Sequence, residues 1–203
     1  MAFLDPSAPV TKHTRDLPHW EQKDVWCFLT WRLADSLPQS KLREFQTEKI
    51  AWLNLHPQPW TADIEAEYHE RFAVQIDDWL DRGTGSCLLR DPRNAIIVAD
   101  AILHFDKERY ELDAFVVMPN HVHVLVKLFS EHPLAQIVKS WKGFTAQLIN
   151  RRESRTGPLW QSEYWDRLAR TPEHFAKYAE YIALNPAKAG LRPSEYILRP
   201  TQR

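Results

Sequence analysis

The stretch LDAFVVMPNHVHVLVKL, residues 112–128, constrains the fold more than any other part of the chain. Two apolar, β-branched runs flank Pro119-Asn120, which predicts an antiparallel hairpin with a short turn. Strand side chains alternate faces, so Val122, Val124, Val126 and Leu128 share one face and commit His121 and His123 to the other. Residues two apart on a strand lie about 7 Å from each other on the same side, so both imidazoles can reach one ion. The spacing suits two ordinary strand residues as well, and two ligands leave an ion short of a protein site. A third group must come from elsewhere in the chain.

Around this hairpin the periodicity alternates. VWCFLTWRL, residues 25–33, reads as a first strand, ended by Leu37-Pro38. Leu42, Phe45 and Trp52-Leu53, and after them Ile64, Tyr68, Phe72, Ile76 and Leu80, recur at helical intervals and predict two helices. The RGTGS stretch, 82–86, breaks the chain before Asp91, an N-cap candidate with Pro92 at the first helical position, and a helix is expected over 92–106. Pro133 opens a further helix with Leu134, Ile137, Val138, Trp141, Phe144 and Leu148 as its apolar stripe. In LWQSEYWDRLA the first part is expected to be a strand. Thr171-Pro172 caps a last helix running to Asn185-Pro186. With 38–90 taken as a helical insertion in a single domain of 1–203, the remaining order is β-α-β-β-α-β followed by a helix. That is an α+β, ferredoxin-like arrangement: an antiparallel sheet with helices on one face, plus the C-terminal helix.

Hydrophobic residues make up 44% of the 203 residues, enough for a sizeable core. No run of ~18 apolar residues and no signal-type start is present, so a soluble cytoplasmic protein is expected. Cys27 and Cys87 lie far apart without metal-type spacing and are expected to be buried thiols. A net charge of −1 hides an asymmetry. Residues 61–81 hold seven acids against Arg71 alone, whereas 139–170 holds seven cations, including Lys139, Lys142, Arg151, Arg152, Arg167 and Arg170, against three acids. The basic half is the candidate polyanion-facing surface and the acidic half is expected to be peripheral. Trp160, Tyr164 and Trp165 among those cations could stack bases, or could simply be core aromatics.

On the last helix Tyr178, Tyr181, Asn185 and Lys188 recur at intervals of three, four and three and form a second stripe beside the apolar one of Phe175, Ala179 and Ile182. If this helix packs beside the histidines, the Asn185 amide oxygen can complete a His-His-amide site with the Tyr181 phenol facing the same ion. A phenol with a pKa of about 10 is a poor nucleophile, and a cation on the scissile phosphate offsets that weakness. Tyr178, three residues earlier, is its competitor.

MPNHVH, GPLWQSEYWDRLAR and above all YIALNPAKAGL together resemble the single-tyrosine HUH transposases, most closely the REP-associated tyrosine transposases of bacteria, over about residues 20–193. The resemblance implies a divalent ion, magnesium or manganese, on His121 and His123 and a nucleophilic Tyr181. Asn185 matches the Asn of the same block. It also implies cleavage and rejoining of single-stranded DNA near hairpins of repetitive extragenic palindromes, through a 5′-phosphotyrosine. Lys139, Lys142, Arg151, Arg152, Trp160, Arg167, Arg170 and Lys188 are then the candidate DNA contacts. The acidic insertion departs from the shorter members and weakens any claim of general DNA affinity. Two alternatives stand beside this reading: a hairpin-binding protein of the same fold without catalysis, and a metal-dependent hydrolase or oxygenase using His-x-His.

Overall fold

The computed structural model describes residues 3–5, 7–9, 11–14, 18–57, 64, 67–68, 71–72, 75–129 and 131–201. Asp63, Glu65 and Glu70 of the acidic run, and most of the chain between its two predicted helices, lie outside them.

The elements in chain order are β1 (Thr11–Thr14), β2 (Pro18–Glu21), β3 (Trp26–Arg32), α1 (Gln39–Leu55), α2 (Gln75–Asp81), α3 (Pro92–Leu103), β4 (Tyr110–Val117), β5 (His121–Leu128), α4 (Leu134–Arg152), β6 (Trp165–Leu168), α5 (Pro172–Lys188) and β7 (Ile197–Arg199). Strands β6, β3, β5, β4 and β7 form one antiparallel sheet in that order. Between β3 and β6 the alternation of the sequence is realised as expected. The additions it did not signal are the small β1–β2 sheet and the edge strand β7.

Both faces of the sheet are covered. Leu29 and Trp31 of β3, Phe115 and Val117 of β4, and Val122, Val124 and Val126 of β5 pack against Val98 and Ile102 of α3 and Ile137, Val138 and Trp141 of α4. The opposite face carries Trp26, Phe28, Ala114, Val116 and Leu125 and is closed by Ala179 and Ile182 of α5. The helices of the βαββαβ core thus share one side, and α5 packs on the other with the histidines.

Local chemistry sets the boundaries. Asp91 accepts from the Arg93 N–H and Thr171 from the His174 N–H, each with proline at the start of its helix. Helix α3 stops at Leu103, short of the expected 106, because Asp106 takes the Leu112 N–H on one carboxylate oxygen and Arg199 on the other. The expected strand in LWQSEYWDRLA shifts to its second half. Trp160 makes only an isolated bridge to Leu33, and the Gln161 and Ser162 carbonyls turn to Lys142 Nζ at 2.6 and 2.7 Å instead of to a neighbouring strand. Helix α5 runs through Pro186, because the Ala189 N–H to Asn185 O and Gly190 N–H to Ala187 O bonds complete a last turn that does not need the proline's missing donor.

Leu37, Leu42, Phe45, Trp52, Phe72, Ile76 and Leu80 form a separate small core of the 38–90 segment. Its return to the sheet is tight. Gly85, at φ +87°, lies so close to the Asp35 carbonyl that a Cβ would collide with it. The Thr84 hydroxyl donates to the Ser36 carbonyl. The segment is therefore not peripheral at its C-terminal end, because this return lays residues 80–86 over the β4–β5 turn. No helix among the described residues is long and apolar enough to cross a membrane.

Candidate active site

The β4–β5 turn is closed by the Met118 N–H donating to His121 O at 2.9 Å, leaving Pro119 and Asn120 at its tip. Asn120 is buried, and every polar group of its side chain is used. Its Nδ2 donates to the carbonyls of Leu80 (3.2 Å) and Thr84 (3.1 Å), and its Oδ1 lies 2.8 Å from His121 Nδ1. Two carbonyl acceptors fix which end of the amide is nitrogen. The oxygen therefore faces His121, so Nδ1 must carry the proton and Nε2 is left with a bare lone pair. That is the tautomer a metal ligand needs. On the neighbouring strand Thr30 Oγ1 lies 2.8 Å from His123 Nδ1 and anchors the second imidazole from behind; a hydroxyl donates or accepts, so this contact holds the ring without choosing its tautomer.

Both histidines are fully buried, their rings 4.7 Å apart. Burial pushes the His121 pKa down to about 3. His123 falls well below the usual imidazole range, first through burial and then through its coupling to His121 and the positive charges of Arg167 and Lys188. Both rings are thus held neutral, and neither Nε2 has a hydrogen-bond partner. Two buried Nε2 atoms without a hydrogen-bond partner on one sheet face are costly without a ligand and suit a divalent ion well.

Helix α5 supplies the rest. The Tyr181 ring stands edge-on to His123 at 5.3 Å and to Phe28 at 5.8 Å. Tyr178 stacks on Phe28 at 4.9 Å. Geometry thus separates the two tyrosines that sequence spacing could not, and it is Tyr181 that packs on an imidazole. Asn185, one turn on, is 1% exposed, and its Oδ1 has no hydrogen-bond partner. Its Nδ2 donates to Asp81 Oδ1 at 3.5 Å, which turns the amide oxygen away from the insertion. Among the described residues no third His, Cys, Asp or Glu groups with the pair. The two imidazoles and the Asn185 amide are thus the candidate donors, and a neutral set of this kind would leave an ion its positive charge and open positions.

The insertion contributes Asp81, whose Oδ2 also pairs with Lys188 Nζ at 3.2 Å. Beside it lies a cavity of about 110 Å³, lined in part by Asp81, Asn120 and His121. Sequence reasoning missed Thr30, Asn120 and Asp81. The alternation of β3 could have placed Thr30 on the site face, and the asparagine immediately before His-x-His was a signal read only as a turn former.

The candidate DNA contacts do not gather around this site. Lys139, Lys142, Arg151 and Arg152 ride on α4, across the sheet from the histidines. Lys142 is bound to two backbone carbonyls, and Arg152 pairs with Asp91 and Glu153. Trp160 is core: its Nε1 donates to Thr145 Oγ1, and its ring meets Trp31 edge to face. Arg170 is exposed just before α5. Arg167, register-paired with Phe28, lies on the histidine face, and Lys188 is on α5 itself.

The family described as "Transposase IS200 like" matches residues 100–183, a span that contains His121, His123 and Tyr181. A REP-associated tyrosine transposase of Escherichia coli (strain K12) is 25% identical over 91 residues, covering 44% of this chain and 53% of that protein. The chain therefore spans about half the length of the curated relative it matches. Among solved structures, a REP-associated tyrosine transposase bound to a REP hairpin aligns over 88% of this chain and 76% of its own, at 15% identity and a TM-score of 0.49. A putative transposase from Deinococcus radiodurans R1 aligns over 86% and 98%, at 19% identity and a TM-score of 0.33. The resemblance read from the motifs is borne out by the family and relative matches.

Proposed function

We propose that this chain, whose residues 100–183 carry the pattern of IS200-like transposases, is a metal-dependent single-stranded DNA transposase. It cuts and rejoins strands beside palindromic hairpins of the repetitive extragenic type, with Tyr181 as nucleophile. The observation that carries this reading is a phenol packed against one of two buried imidazoles whose Nε2 atoms are bare.

The Tyr181 oxygen attacks the scissile phosphorus. The P–O3′ bond breaks, the phenolic proton is lost to solvent or the departing oxygen, and a 5′-phosphotyrosine and a free 3′ hydroxyl result. Attack by a 3′ hydroxyl reverses the step and needs no nucleotide cofactor. A divalent ion on His121, His123 and Asn185 would polarise the phosphate and offset the charge that develops there. Asn120 and Thr30 hold the imidazoles in place from behind. Asp81 occupies Lys188, so an incoming phosphate must compete for that ammonium.

Incubation with an end-labelled hairpin bearing a single-stranded flank tests the proposal. A discrete cut is expected with magnesium or manganese and none with chelator. Binding without cutting under every metal condition would leave the hairpin-binding alternative in its place.

A further inference from the structure

Arg32 ends β3 directly across from His121 in register, on the same sheet face as Phe28 and Thr30. It is 2% exposed. Its Nη1 donates to Ser36 Oγ at 3.1 Å, and its guanidinium sits 5.6 Å over the Trp165 ring. Nε has no hydrogen-bond partner, and no carboxylate pairs with the group among the described residues. Burial alone pushes its pKa down, to about 10, with no nearby acid to oppose the shift. Lys142 feels its charge as well, after the stronger and opposite influence of Glu163.

Two half-buried arginines of this chain are by contrast neutralised internally: Arg152 by Asp91 and Glu153, Arg199 by Asp106. A buried guanidinium without a counter-ion is costly unless an anion arrives to pair with it. The planar donor set of arginine fits a phosphate with two parallel bonds.

We infer that Arg32 is a phosphate-binding residue: it takes the non-bridging oxygens of a phosphodiester in the strand that lies across His121 and His123. The assignment rests on the nucleic-acid reading above. Trp165, partly exposed over the guanidinium, is the side chain the strand displaces to reach it.

The test uses the full chain in chelator, so that binding is read without cutting, with Arg32→Met as a charge-free replacement of similar length. The probe is a fluorescent hairpin with a single-stranded flank, titrated over a range of salt, alongside thermal melts with and without inorganic phosphate. Arg32→Met is expected to bind more weakly, to lower the slope of log K against log salt by about 0.7, the value for one single-strand phosphate contact, and to lose any rise in Tm caused by phosphate. Its Tm without anion should not fall, because an unpaired buried charge has been removed. Arg32→Gln, which can still donate to Ser36, carries the same expectation if the Met variant fails to fold, and Arg32→Lys should keep the slope. Unchanged affinity and slope, or a fallen Tm with intact DNA binding, overturns the assignment in favour of a purely structural arginine. A wild type that binds with this Arg32 dependence yet never cuts with manganese supports Arg32 and refutes the nuclease reading. A wild type that cuts while Arg32→Met binds equally well does the reverse.

Discussion

Thr30→Val removes one hydroxyl from β3 and almost no volume. In the protein that hydroxyl lies 2.8 Å from His123 Nδ1, and both residues are buried, so water cannot replace it. An unsatisfied buried imidazole nitrogen costs about 1–3 kcal/mol. In a chain of this size that corresponds to a Tm lower by roughly 2–12 °C. The metal should feel the change as well, because a lost partner behind a ligating imidazole typically weakens binding 10–100-fold, about 1.4–2.7 kcal/mol. His123 is held neutral by burial, so the loss acts through ring orientation rather than charge. DNA affinity measured in chelator should therefore be unchanged. Manganese calorimetry with parallel melts measures both effects, and Thr30→Ser should restore both. Manganese affinity within twofold of wild type in Thr30→Val would show that the His123 Nδ1 contact does not prepare a metal ligand.

Asn120→Ala should weaken manganese binding by a comparable 10–100-fold and also speed hydrogen exchange in residues 80–86, because it removes the His121 partner and both carbonyl contacts to that segment; protection unchanged there would contradict the linkage. Metal-free stability should fall with acid. The His121 pKa is about 3 folded against 6.5 unfolded, so its stabilising share is full above pH 6.5 and is lost as pH drops toward 3. At pH 5.5 that is about 1.4 kcal/mol, visible in urea melts and absent in His121→Asn. Asp81→Ala should raise hairpin affinity at low salt by removing a carboxylate that pairs with Lys188 and repels phosphate, with the gain vanishing at high salt; equal affinity at all salts would show that the Asp81–Lys188 pair does not face the DNA.

Much of the catalytic layout was legible because it obeys local rules. Alternation put His121 and His123 on the face away from the valines, and spacing put Tyr181, Asn185 and Lys188 on one stripe of α5. What escaped depends on contacts distant in sequence. Asp81 meets Asn185 and Lys188 across more than a hundred residues, and no local pattern announces that the acidic segment returns to the site. Trp160 and Lys142 looked like a nucleic-acid surface because aromatics and cations look alike in sequence whether they face solvent or a neighbouring backbone. Arg32 sits in an apolar strand run, and no local pattern shows that its charge goes without a counter-ion.

The central claim is that Tyr181 is the nucleophile, and covalent capture on DNA tests it most directly. Wild-type protein, manganese and a hairpin labelled 3′ of the cut should yield a protein–DNA adduct stable on denaturing gels, with peptide mapping placing the phosphate on Tyr181. Tyr181→Phe removes one oxygen from a ring packed on His123 and Phe28, so folding and hairpin binding should persist while the adduct disappears; Tyr178→Phe should still form it. An adduct mapped to Tyr178, or strand cleavage that survives in Tyr181→Phe, would contradict the account.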